Sequence, residues 1–77
     1  MDTLLCPSGR SARQLRQSLG LNQQAFWNKI GITQSGGSRY ESGRDMPIQV
    51  VWLLDIAYGT EDQAQARVAA LREIVKE

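Results

Sequence analysis

Apolar positions in this chain recur at three- and four-residue intervals, and Gly, Pro and small polar residues cut them into five segments. Ala12, Leu15 and Leu19 share one helical face, and Gly20 ends that segment. Ser11-Ala12-Arg13-Gln14 has the form of a capping box, so a first helix is predicted to start near Ser11. Asn22 is placed to cap a second helix reaching about Ile30, with Phe26 and Ile30 four apart. Gly31 supplies a turn. Thr33 caps a third helix from about Gln34 to Ser42, and Gly43 stops it. Pro47 suits the first turn of a fourth helix that continues to about Tyr58. Val50, Val51, Leu53, Leu54, Ala57 and Tyr58 make that helix apolar around much of its circumference, as a central core element requires. Gly59 breaks it, and Thr60-Glu61-Asp62-Gln63 is a second capping box opening a fifth helix to about Val75. No strand pattern interrupts these segments. The expectation is an all-α, compact five-helix domain. Residues 1–9, with Pro7 and Gly9, read as a flexible N-terminal arm, residues 10–59 as the main domain, and residues 60–77 as a C-terminal helix.

Seventy-seven residues allow one small core, whose stability is marginal unless a partner or a second copy adds buried surface. Net charge is only +1, but its distribution is uneven. Residues 1–44 carry Arg10, Arg13, Arg16, Lys29, Arg39 and Arg44 against Asp2 and Glu41, a balance of +4. Residues 45–77 carry a balance of −3. A basic front half supplies salt-dependent attraction to phosphates, and an acidic rear half would face away. The single Cys6 cannot form an internal disulfide and sits in the expected arm, where it reads as an incidental thiol. With no His and one Cys, the ligand count excludes a zinc site, and no metal or cofactor is expected. No spaced carboxylate pair or Gly-rich phosphate loop suggests an enzyme. No leader or membrane span is read, so a cytoplasmic, nucleoid-associated location is expected.

The second and third segments carry the most specific pattern. Gln23, Trp27, Gly31, Gly37 and Tyr40, followed by Glu41-Ser42-Gly43-Arg44, form two short helices around a tight turn. That is the layout of a helix-turn-helix, whose second helix enters the DNA major groove. The run Gly20-Leu21-Asn22-Gln23, Gly31-Ile32-Thr33-Gln34-Ser35, Ser38-Arg39-Tyr40-Glu41-Ser42-Gly43-Arg44 and Pro47 resembles the phage-repressor-like regulators of the Cro/C1, or XRE, type. The likeness covers roughly residues 11–58 and implies a lambda-repressor-like DNA-binding fold. It implies that Gln23 bonds a backbone phosphate through its amide. Gln34, Ser35 and Arg39 are then the base-reading candidates: an amide can bridge adenine N6 and N7, and a guanidinium can bridge guanine O6 and N7. Thr33, Ser38, Lys29 and Arg44 are candidate phosphate contacts. Arg16 and Glu41 match a pair that the family uses as a structural salt bridge between the first and third helices.

Two positions depart from the family pattern. Trp27 stands where a small residue is usual, and Gly37 stands where an aliphatic residue is usual. In a helix-turn-helix these positions face each other, so a size swap is expected, with the Trp27 ring packed over Gly37. The swap leaves Gly36-Gly37 inside the recognition helix, each costing roughly 1 kcal/mol relative to Ala.

The fifth helix places Ala64, Val68, Leu71 and Val75 at four-three-four spacing, with Ile74 beside them. This stripe either closes over the core or forms a seam with a second copy, and Trp52 of the fourth helix is the other dimer candidate. The resemblance implies a homodimer on a palindromic double-stranded DNA operator, with half-sites about one helical turn apart. The expected function is a transcriptional repressor of its own phage or mobile-element operon, anti-CRISPR-associated operons included. The competing expectation is an antitoxin or adaptor that binds a protein partner through the same fold.

Overall fold

In a computed structural model, residues 4–76 are described, with the side chains of residues 74–76 outside that description. The order is α1 (Gly9–Ser18), α2 (Gln23–Asn28), α3 (Gln34–Glu41), α4 (Ile48–Tyr58) and α5 (Glu61–Lys76). All regular structure among the described residues is helical, and no described helix is long and apolar enough to cross a membrane.

Local chemistry sets most of the boundaries. Asn22 Oδ1 accepts the Ala25 N–H at 2.8 Å, and Thr33 Oγ1 accepts the Gly36 N–H at 3.1 Å. Thr60 and Gln63 form the reciprocal box: the Thr60 N–H donates to Gln63 Oε1 at 2.8 Å and the Gln63 N–H to Thr60 Oγ1 at 3.1 Å. Gly31, between α2 and α3, has φ +78°, a left-handed conformation that glycine adopts without strain. The chain turns there within a few residues, which is how α2 and α3 come to pack against each other.

The start of α1 differs from expectation. Its cap is Ser8, whose Oγ accepts the Ser11 N–H at 3.2 Å, so the helix begins two residues before Ser11. Gly9 is buried where α1 crosses the end of α3, and a Cβ there would overlap the Tyr40 carbonyl. The expected arm is also corrected from residue 4 onward. The Leu5 N–H donates to Asp55 Oδ1 at 2.9 Å, and Cys6 is fully buried in the core. Cys6 is therefore a packing residue rather than an incidental thiol on a loose segment. Leu19, expected on the apolar face of this helix, is its C-cap and is half exposed at 48 %. Helix α2 stops at Asn28 rather than Ile30, and Pro47 is the N-cap of α4 rather than part of its first turn.

The core joins Cys6, Ala12, Phe26, Trp27, Val50 and Leu54. Phe26 stacks on Tyr58 with ring centroids 4.5 Å apart and meets Trp27 edge-on at 5.2 Å. The Tyr58 hydroxyl donates to the Phe26 carbonyl at 2.7 Å, tying α4 to α2. Helix α4 is less uniformly apolar than its sequence suggests. Leu53 is partly exposed at 37 %, whereas Asp55 is fully buried and paired with Arg67 of α5 at 2.7 Å. Arg67 also lies over the Trp52 ring, 5.7 Å from its centroid. The Ile74 and Val75 side chains, expected in a dimer seam, lie outside the described residues.

Candidate nucleic-acid interface

The back of the helix-turn-helix is organised around one carboxylate. Glu41, at the end of α3, has a side chain only 4 % exposed. Arg16 of α1 grips it with two parallel bonds, Nε to Oε2 at 2.8 Å and Nη2 to Oε1 at 3.0 Å. The remaining donor nitrogen, Nη1, reaches the Leu21 carbonyl at 2.9 Å, at the entry to α2. Glu41 then accepts two further bonds from α2: the Trp27 indole N–H to Oε2 at 2.8 Å and the Gln23 amide N–H to Oε1 at 3.1 Å. One carboxylate thus fastens α1, α2 and α3. Burial alone would raise its pKa, but hydrogen bonds from Arg16, Trp27 and Gln23, with the Arg16 charge, outweigh burial and hold it below the ordinary carboxylate value.

The Trp27 ring lies directly over Gly37, and any Cβ at Gly37 would overlap its pyrrole edge. Trp27 is completely buried, with Tyr40 tilted against it at 5.7 Å between centroids. Glycine at position 37 therefore lets α3 approach α2 closely enough for the indole N–H to reach Glu41. Gly36 has a different setting: a Cβ there would sit 3.2 Å from Ile32 Cγ2 and 3.4 Å from Thr33 Oγ1, a tight fit against two side chains.

The opposite face of α3 points outward. Gln34, Ser35 and Arg39 are exposed. Gln34 Nε2 makes a 3.4 Å bond to Gln23 Oε1, linking the first residue of α3 to the first residue of α2. Among the surrounding candidates, Arg44 is exposed, Ser38 is half-buried, and Thr33 is exposed with its oxygen engaged as the α3 cap. Lys29 is exposed and lies 5.5 Å from the centre of the Tyr58 ring. The fold thus collects Gln23, Gln34, Ser35 and Arg39 on two neighbouring helices, with Trp27, Glu41 and Arg16 behind them.

Three contacts had no clear sequence signal. The Trp27 N–H bond to Glu41 leaves no trace in residue spacing, which speaks only to the bulk of the ring. Gln23, expected to contact a phosphate, is also a structural donor, half-buried beside Glu41. The Asp55–Arg67 pair is the third, and an acid inside an otherwise apolar α4 was its only trace.

The family model of the RsaL-like HTH domain matches residues 13–57, from within α1 to the penultimate residue of α4, with α2 and α3 inside the match. No curated protein and no solved structure matches the chain. The match spans more than half of the residues and coincides with the Arg16–Glu41–Trp27 frame and the outward face of α3. On that ground the chain belongs to the RsaL-like helix-turn-helix domain family and carries a DNA-binding helix-turn-helix.

Proposed function

We propose that this protein is a sequence-specific double-stranded DNA-binding regulator that represses its own operon. It docks as a homodimer on an inverted repeat, with α3 in the major groove. The observation that carries this reading is an α3 held rigidly from behind by Glu41 while Gln34, Ser35 and Arg39 stand exposed in front. Base readout needs polar side chains in a fixed frame, because a loosely held helix averages over wrong registers.

The phosphate contacts fit around it. Gln23 uses one amide hydrogen on Glu41 and retains the other for a phosphate. Thr33 accepts the cap bond with its oxygen and keeps its hydroxyl hydrogen. Lys29 and Arg44 bring positive charge, and Ser38 a further donor. The narrower kinship with Cro/C1-type phage and mobile-element regulators rests on the conjunction of Gln23, the turn Gly31, Thr33-Gln34-Ser35, the Arg-Tyr-Glu-Ser-Gly-Arg run at residues 39–44 and Pro47. Support for a homodimer comes from apolar surface on the last two helices: Val68 is 40 % exposed, beside Ala64 and Leu71, and Leu53 and the half-buried Trp52 lie on α4.

Selection from a pool of randomised duplexes tests this reading. The expected outcome is enrichment of a two-fold symmetric motif with half-site centres about 10 base pairs apart, bound by two copies of the chain. Recovery of no motif would refute sequence-specific binding. A single asymmetric half-site bound by one copy would refute the dimer.

A further inference from the structure

We propose that Arg10 and Arg13 form an auxiliary contact with the DNA backbone, so that α1 adds phosphate binding beside the recognition helix. The inference rests on the DNA-reading function proposed above and carries the interface onto a helix outside the α2–α3 motif.

Of the six basic residues in positions 1–44, four already have a place: Arg16 on Glu41, Lys29 beside Tyr58, and Arg39 and Arg44 exposed on and just after α3. Arg10 and Arg13 are both exposed, and neither meets a carboxylate among the described residues. Helix α1 holds three arginines and no acid in its ten residues. A cation in the first turn of a helix is repelled by the helix's positive end, and α1 places Arg10 there without a compensating carboxylate. A bound phosphate offsets that repulsion.

The packing of α1 sets where the two arginines stand. Gly9 and Arg16, seven apart and so on one face of α1, both meet the end of α3. A Cβ at Gly9 would strike the Tyr40 carbonyl, and Arg16 grips Glu41. Ala12 and Arg13 lie between these contacts, one on each side of the line joining them. Ala12 is fully buried in the core, whereas Arg13 is exposed. Arg13 therefore borders the α1–α3 contact on the side away from the core. Arg10, three residues before it, and Gln17, four after it, continue the exposed row. Helix α3 also turns Gln34, Ser35 and Arg39 away from the core, which makes the arginine row continuous with the candidate interface. Side chains at this spacing start about 5–6 Å apart. Their flexible stems let two guanidinium groups reach neighbouring phosphates of one strand, each through paired N–H donors. Such contacts add affinity without reading sequence.

Ethylation interference on the selected duplex tests this, with the full-chain wild type, Arg10→Gln/Arg13→Gln and Arg10→Lys/Arg13→Lys. Both positions are exposed, and glutamine and lysine suit a helix about as well as arginine, so the variants keep the fold. In the glutamine variant a discrete subset of the wild-type interference signals should vanish while the others persist. The slope of log affinity against log salt should become shallower by about 0.9 for each arginine removed. The ratio of affinities for selected and scrambled duplex should stay as in the wild type, and the lysine variant should restore both signals and slope. An interference pattern identical to that of the wild type would overturn the contact. So would an even weakening at every phosphate, which marks bulk attraction, or a changed preference for the selected duplex, which marks an effect through α3. A wild type that binds both duplexes alike would refute the sequence-reading function instead, and the α1 contact would still show as a salt slope that falls in the glutamine variant.

Discussion

At Asp55 three distant parts of the chain meet on one carboxylate: the Leu5 N–H, the α4 backbone that carries it, and Arg67 of α5. Removing one partner of a buried ion pair strands the other charge. Asp55→Ala should therefore cost about 3–5 kcal/mol in urea unfolding, much of the roughly 5–15 kcal/mol available to a small domain. A loss below about 1 kcal/mol would contradict a dry pair. Beside it, burial and then the Asp55 charge push the Cys6 thiol up to about 11. The folded protein should resist thiol reagents at pH 8 and react once denatured, whereas rapid labelling of the native state would be inconsistent with this packing. The sign of its pH dependence follows from that raised value. The thiol's contribution is complete below its unfolded value near 9 and fades as pH rises toward 11. Glu41 behaves in the opposite sense. Its depressed pKa gives stability that is present above the ordinary value of 4.5 and lost as pH falls through the folded one. The acid limb of a stability-pH curve should accordingly flatten in Glu41→Gln.

Among the elements, the contact between α2 and α3 decides whether the recognition helix is held. Gly37→Val should overpack against Trp27 and cost about 1–3 kcal/mol. Trp27→Ala should leave a cavity, cost about 3–5 kcal/mol and take a donor from Glu41. The double variant should recover the packing part, leaving the lost hydrogen bond, so denaturation energies should sum to less than the two single effects. Simple additivity would contradict the size swap. This contact was legible in the sequence because helix-turn-helix spacing places positions 27 and 37 opposite each other. The caps at Asn22, Thr33 and Thr60 were legible because each bond spans only three residues. Gly9 was not. It reads as a loop glycine, but its reason is the Tyr40 carbonyl, brought close only when α1 packs on α3. Residues 4–9 look like an arm for the same cause, since Leu5 is fixed by Asp55, fifty positions away. The exposed candidates on α3 carry a family resemblance in the sequence, whereas the four bonds that converge on Glu41 form only once α1, α2 and α3 pack together.

For the whole molecule, the charge asymmetry of +4 over residues 1–44 and −3 over residues 45–77 sets a basic helix-turn-helix before an acidic rear. Phosphate contacts by Lys and Arg release counterions, so binding should weaken steeply with salt. Arg39 is exposed on the outward side of α3, the face proposed to read bases, and losing it should reduce preference for one sequence more than overall attraction. Fluorescence anisotropy on a selected duplex and on its scrambled counterpart, at two salt concentrations, for wild type and Arg39→Ala, tests the central claim most directly. The account predicts tighter binding of the selected duplex by the wild type, weakened by salt, with that preference lost in the variant. No binding to either duplex at low salt, or equal binding to both by the wild type, would contradict it.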